Sequence, residues 1–420
     1  LQTSPREELY FDKFGHRDNY IGIDESAEGI IFNKRVNFKP GTSEPVIVNN
    51  KNNIYIFCND FNNKGIVTGF FSDNYGKNFI PFNLPLTNEV HTYADPDAET
   101  DNNGNIYFTA VQRDNKNFSS IVLIINSGGS QKNYLIDSNQ NGTIKFDKPK
   151  ILILQNKIYI TFIKKEDEKK QLILFSSNLD LTGNQFTLLS SDNPNSASLK
   201  NHNQDLLISY SNDEEINLLV YYTNSNTLNN FKICEFESPG KKIKGQNIIK
   251  SSGNFGVRVN SSPSMLISNL NNKIYITYCG KNGEDNSDIF ITHSELSYLN
   301  FSNPVKISGD KSLNDQFHQV ISEDESGNIY ITYQDSRDDE KNILVNTYLS
   351  YSFDQGNSFS DLKLSTKSFN PYNIVVGGNY IGDYNSQIVT NDKLISVWTD
   401  GRKNNFDLYM GVIHLKKLLN

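Results

Sequence analysis

Two sets of connections in this chain of 420 residues concentrate the side chains able to do chemistry. One set immediately precedes short apolar strands and supplies Glu44, His91, Tyr93, Asp95, Asp97, Arg258, His318, Tyr380, Asp383 and Tyr384. The other is a series of charged hairpin loops holding Asp60, Arg113, Asp114, Asp335, Arg337, Asp400 and Arg402. Guanidinium groups can clamp an anion bidentately. Carboxyl groups can move protons, and a tyrosine oxygen can act as a nucleophile where a neighbouring base takes its proton. Plainer roles compete. Each hairpin arginine can pair with the aspartate of its own loop, and Asp95 and Asp97 can serve as turn acids.

Metal chemistry is weakly signalled. Glu99, Asp101, Asn103 and Gly104 imitate the start of a calcium loop, but Ala110 stands where a bidentate acid would be needed, so a hairpin turn is expected there. The 6 His are scattered, which predicts no zinc site. No metal and no cofactor are expected.

The elements that must position these residues form a repeat. Its anchor is a strand of the type Asn/Lys-Ile-Tyr-Ile-Thr, recurring at Ile54, Ile106, Ile158, Leu206, Ile274, Ile329 and Leu394. The spacing of ~50–70 residues is close to one four-stranded propeller blade. A short strand precedes each anchor, a polar hairpin and a third strand follow it, and most copies add a fourth. The last copy stops after its third strand, so the isolated strand pattern Gly29–Phe38 is expected to close the ring. The fold class is therefore all-β, a propeller over residues 29–420 with an arm at 1–28 lying on its surface. Seven blades are predicted, or six if the copy at Leu206 is an excursion. Two stacked β-sandwiches would not explain the repeat.

Composition narrows the partners. Aromatics at 12 %, with 22 Tyr and 26 Phe, favour sheet over helix. A net charge of −8 argues against a nucleic-acid partner, which requires a basic stripe. No apolar run reaches the ~18 residues of a membrane span. Three well-separated cysteines, Cys58, Cys234 and Cys279, imply no disulfide framework. The chain begins at Leu1, and sequons stand at Asn117, Asn141, Asn260 and Asn300, which together lead to the expectation of an exported protein whose leader has been removed.

The octet Ser352-Phe353-Asp354-Gln355-Gly356-Asn357-Ser358-Phe359 resembles the Asp box of sialidases and related β-propellers. Ser72–Phe79 is a close relative with Asn74 at the aspartate position, and Ser177–Phe186 is a degenerate copy. Tyr333-Gln334-Asp335-Ser336-Arg337 and Val397-Trp398-Thr399-Asp400-Gly401-Arg402 resemble the propeller repeat of the same superfamily. The resemblance covers residues 29–414. It implies that the Asp boxes lie on turns between third and fourth strands, away from the ligand face.

The resemblance also implies roles. Tyr384 falls where the family's catalytic tyrosine falls, before the innermost strand of the last blade, and Asp95 is a candidate proton donor. The family's activating Glu is absent, because Ser261-Ser262-Pro263 occupies its place, and only Glu44 could substitute if ring closure brings it to Tyr384. The family's Phe/Tyr-Arg-Ile-Pro segment is missing as well. Arg113, Arg258, Arg337 and Arg402, with Asp383 and Tyr380, remain as ligand-binding candidates. The foremost expectation is a secreted or surface-exposed, non-catalytic propeller binding a glycan or a surface protein. The alternatives are an exo-sialidase-like glycoside hydrolase acting on acidic sugars, and a structural part of a surface assembly. The oligomeric state is left open.

Overall fold

A strand buried on both faces needs apolar residues at successive positions rather than at alternate ones. The anchor segments meet that requirement. In the computed structural model every residue of Ile329–Asp335 is buried, and all but the first of Lys393–Asp400. The two faces of one anchor serve two cores. Ile158, Ile160 and Phe162 pack with Tyr107 and Ile121 of the preceding blade, whereas Tyr159 and Ile163 pack with Leu206 and Ile208 of the following one. The structure describes residues 23–25, 31–37, 40–61, 66–84, 90–114, 116, 118–128, 130–139, 142–212, 214–239, 262–282, 286–372 and 381–418.

These strands form six 4-stranded antiparallel sheets and one 5-stranded sheet, arranged as a seven-bladed β-propeller. The copy anchored at Leu206 is a full blade, with strands Ser196–His202, Asp205–Ser211, Glu215–Tyr222 and Thr227–Glu235. Ile31–Arg35 closes the last blade by pairing with Asp407–His414, Ile31 opposite Ile413 and Arg35 opposite Tyr409. The surface arm assigned to residues 1–28 contributes more than expected. Its segment Ile23–Glu25 pairs with Phe32–Lys34 as a fifth, outermost strand, because the closing strand would otherwise present an open ladder edge. The helix content among the described residues is one 3-10 turn, Leu415–Lys417, and none of the described helices is long and apolar enough to cross a membrane. Cys58, Cys234 and Cys279 are free thiols.

Inner strands run from one end of the ring, here called the mouth, to the other. The turns between third and fourth strands therefore lie at the far end, and two of them share one hydrogen-bond scheme. Ser352 Oγ accepts the Gly356 N–H at 2.8 Å, and Asp354 Oδ1 accepts the Ser358 N–H at 2.9 Å. Ser72 Oγ accepts the Gly76 N–H at 2.8 Å, and Asn74 Oδ1 accepts the Asn78 N–H at 2.9 Å. Asn can replace Asp because the shared acceptor is Oδ1. The second carboxylate oxygen of Asp354 takes the Ser358 hydroxyl at 2.6 Å, and Asn78 has no hydroxyl to offer. Gly356 and Gly76 sit at φ 83° and 78°, the left-handed region where a Cβ is strained.

The Ser358 hydroxyl and N–H, with the Ser352 hydroxyl, pull the Asp354 carboxyl down to about 2. A depressed folded-state value stabilises the fold above the ordinary carboxylate range, and that contribution disappears as the pH falls through about 2. Asp354→Ala is expected to cost about 1–2 kcal/mol at neutral pH through lost capping. The difference from wild type should shrink in urea melts at strongly acid pH, where only the capping by the neutral carboxyl remains. A difference that persists unchanged there would show that the carboxylate is not its source.

Candidate functional site

The inner strands are broken at one recurring place. Register shifts separate Ser43 from Val46, Ala94 from Asp97, Asp147 from Lys150, and Phe317 from Val320. At each bulge one residue adopts a left-handed backbone: Glu44 at φ 55°, Asp95 at 53°, Lys148 at 47° and His318 at 56°. Asn193 at 62° stands at the corresponding point before the fourth blade, and Gly382 at 97° before the seventh. Proline follows Glu44, Asp95, Lys148 and Asn193. A proline has no N–H to give to the ladder, so the bulge cannot relax into regular pairing. Left-handed backbone costs a non-glycine residue about 1–3 kcal/mol, a strain that clusters at functional sites. Here the strain turns a ring of polar side chains toward the mouth.

Beyond the bulges lies a central cavity of about 360 Å³. Its wall carries Asp95, Asp383, Lys148, His318 and Tyr384, with Asp97, Lys150, Glu99 and Lys200 further along the inner strands. Lys148 Nζ pairs with Asp383 at 3.3 Å, and Lys150 Nζ pairs with Asp97 at 3.4 Å while lying 4.9 Å from the Tyr384 ring centre. Glu44 is buried behind this wall. Its Oε1 accepts the Asp383 N–H at 2.9 Å, and its Oε2 accepts the Asn59 amide. Burial pushes the Asp95 carboxyl well above the ordinary carboxylate range, and the negative charges of Asp147 and Glu44 push it further. Burial likewise raises Glu99. His318 Nδ1 lies 3.0 Å from Gln334 Oε1. Gln334 Nε2 donates to the Thr399 carbonyl at 2.9 Å, which fixes the amide and leaves Nδ1–H as the donor. His318 is thus the Nδ1–H tautomer when neutral.

Ring closure brings three of the sequence-selected residues together, Glu44, Asp383 and Asp95. Glu44 does reach the last blade, through the Asp383 N–H. The Tyr384 hydroxyl donates to the Pro96 carbonyl at 3.3 Å. Arg337 and Arg402 are bound within their hairpins. Arg337 donates to Asp335 and Asp361, each at 2.7 Å, and lies 4.2 Å from the Tyr348 ring. Burial raises Asp335 to about 6 in spite of that arginine. Arg402 donates to Asp400 at 2.7 Å and lies 4.0 Å from the Tyr409 ring. Arg113 is exposed on the hairpin of the second blade. Arg258 and Tyr380 lie outside the described residues.

The residues that sequence reasoning missed are Lys148, Lys150, Asp147, Asn59 and Gln334. For Lys148 a signal existed, the repeated X-Pro before an inner strand. The Asp101 loop is a hairpin turn. Oδ1 accepts the N–H groups of Asn103 and Asn105 at 2.9 and 2.8 Å, and Oδ2 accepts the Asn105 amide at 2.7 Å. Asp324 repeats the scheme with Ser326 and Asn328.

The seven-bladed ring and its polar mouth can be set beside known proteins. No protein family matches the chain, and no curated protein matches it. Solved structures do match, and they include sialidases, glycoside hydrolases and a polysaccharide lyase. Polysaccharide lyase Uly1 aligns at TM-score 0.53 and 8 % identity, over 89 % of this chain and 90 % of that one. The phage phi92 endosialidase aligns at TM-score 0.51 and 10 % identity, over 91 % and 69 %. Trypanosoma rangeli sialidase bound to the inhibitor DANA aligns at TM-score 0.50 and 11 % identity, over 99 % of this chain but 60 % of its own length. At these identities the likeness establishes the propeller fold alone.

Proposed function

We propose that this protein is a carbohydrate-recognition propeller, working outside the cell or at a surface, that takes its glycan at the mouth of the ring. The observation that carries the reading is the recurring left-handed bulge, which gathers Asp95, Lys148, His318 and Asp383 around one cavity. Fold stability does not require strained ionisable groups at one end of a channel, whereas ligand capture does. The carbohydrate-active structural neighbours fit this reading. The turns at Ser72 and Ser352 serve as Asp boxes at the far end and hold the ring rigid.

Binding without turnover is the favoured form. A tyrosine nucleophile needs a carboxylate to take its proton, whereas the Tyr384 hydroxyl donates to a backbone carbonyl and both Glu44 oxygens already accept hydrogen bonds. Arg337 and Arg402 are engaged by carboxylates of their own blades, so these two are not available to clamp an acidic sugar. One observation favours hydrolysis instead, the Asp95 carboxyl, which burial and then the charges of Asp147 and Glu44 shift toward its protonated form, the form a general acid needs. A single experiment separates the two. Wild type, Lys148→Met and Asp354→Ala are screened on a glycan array, and the array hits are then incubated and analysed for cleavage. Binding lost in Lys148→Met, kept in Asp354→Ala and unaccompanied by cleavage is expected. Cleavage abolished by Asp95→Asn would establish the hydrolase, and binding untouched by Lys148→Met would move the site elsewhere.

A further inference from the structure

We infer that the glycan presents a neutral sugar residue to a hydroxyl-lined subsite at the seam between the fourth and fifth blades, with Ser196, Ser209 and Ser211 as its binding groups. This rests on the mouth being the glycan site and adds the chemistry of the sugar. Side chains alternate along a strand. On the strand Asp205–Ser211, Ile208 and Tyr210 pack with Tyr159 of the third blade, whereas Leu207 packs with Met265 and Ile276 of the fifth. Ser209 and Ser211 therefore share the face turned to the fifth blade. Ser196 stands opposite Ser211 and Ser198 opposite Ser209, so four serines form one patch on that face. Ser196 and Ser198 also line the central cavity, joined there by Ser262 and Ser264 of the fifth blade.

The hydrogen bonding of this patch is a separate observation. Ser209 and Ser211 are fully buried and Ser196 is 3 % exposed, yet none of the three hydroxyl oxygens has a partner among the described residues. Buried polar groups are normally satisfied. Other seams obey that rule. Asp97 Oδ2 accepts the Ile151 N–H at 2.8 Å, Gln319 Nε2 donates to the Ser262 carbonyl at 2.7 Å, and Thr332 Oγ1 donates to Gln387 Oε1 at 2.7 Å. A serine hydroxyl both donates and accepts, and so does a sugar hydroxyl. An ionised group fits less well. The four serines that line the cavity here carry no charge, so an entering carboxylate or ammonium would lose water without gaining a counter-ion from them. The two ion pairs elsewhere on the wall, Lys148 with Asp383 and Lys150 with Asp97, each cancel internally. Lys200 lies further along the inner strand of the fourth blade, where its charge acts on Glu99.

The test combines stability with binding. A buried hydroxyl kept for a ligand does nothing for the empty fold, so Ser209→Ala and Ser211→Ala should each melt no lower than wild type. The intact protein is screened on an array printed with matched triplets: a neutral oligosaccharide, the same backbone oxidised to the uronate, and the same backbone as its free amine. The neutral member is expected to bind at least about tenfold more tightly than the other two. Calorimetric titration with that neutral oligosaccharide should show about tenfold weaker binding in Ser196→Ala, Ser209→Ala and Ser211→Ala. Tightest binding of a uronate or an amine, neutral binding retained in all three variants, or melting temperatures lowered in Ser209→Ala and Ser211→Ala would overturn the inference and leave a glycan site standing. If no member of any triplet binds, the inference falls and the reading of the mouth as a glycan site falls with it.

Discussion

A chain lacking residues 1–38 is expected to yield no folded ring. The deleted piece ends in a strand that is joined to the last blade along its whole described length. Ile31–Arg35 pairs with Asp407–His414, and beyond it the Val36 N–H donates to the Leu408 carbonyl at 2.8 Å. Ile31 packs with Leu394, Trp398, Tyr409 and Ile413, and Val36 with Ile395, Val397 and Leu408. Burying two such side chains contributes about 1.5–3 kcal/mol each. The polar losses add to this. Asn33 donates to the Leu364 carbonyl at 3.0 Å and accepts the Thr366 N–H at 2.8 Å, and Asn37 accepts the Leu408 N–H at 2.7 Å. Removing the strand strands all of these partners and exposes the ladder of Asp407–His414, a cost large against a typical total stability of about 5–15 kcal/mol. Circular dichroism and thermal melts of the truncated chain check it. Asn33→Ala serves as a gentler companion, expected to lower the melting temperature without abolishing folding. A truncated protein that melts like full length would remove the closing strand from any stabilising role.

That strand was legible in the sequence because a ring is a counting problem. Seven anchors with only three strands in the last copy require one more strand, and Gly29–Phe38 was the unassigned candidate. The anchors themselves were legible because burial on both faces leaves an uninterrupted apolar run, as in Ile329–Tyr333. The mouth was less so. Its composition depends on contacts such as Glu44 with Asp383 and Asn59, or Lys148 with Asp383, which join residues far apart in sequence. The bulges are set by register, to which a sequence pattern of period two is blind at a single step. The short strand Ile23–Glu25 went unread because three residues carry no measurable alternation. The hairpin arginines were legible as ion pairs or as anion clamps, and only the geometry distinguishes the two.

That distinction gives the other large expected effect. Arg402→Met should destabilise the protein by about 3–5 kcal/mol, because it leaves the Asp400 carboxylate buried and unneutralised. The Asp400 side chain is fully buried and that of Arg402 is 3 % exposed. Arg402 donates twice to this carboxylate, from Nε at 3.0 Å and from Nη2 at 2.7 Å. The Trp398 indole donates to it at 2.9 Å from inside the core. The same guanidinium reaches the Thr366 hydroxyl at 3.0 Å and Asn33 Oδ1 at 3.3 Å, tying the hairpin to the sixth blade and to the closing strand. Arg402→Lys should recover only part of the loss, since an ammonium cannot fill this fork or lie flat on Tyr409. Arg402→Met with Asp400→Asn should cost less than Arg402→Met alone, because the uncompensated charge is then gone. Urea unfolding of the three variants measures these differences. Glycan affinity per folded molecule should stay at the wild-type level throughout, because the guanidinium is spent on Asp400, Thr366 and Asn33. A variant that keeps its stability and loses the glycan would instead make Arg402 the ligand contact that its place on a mouth hairpin first suggested.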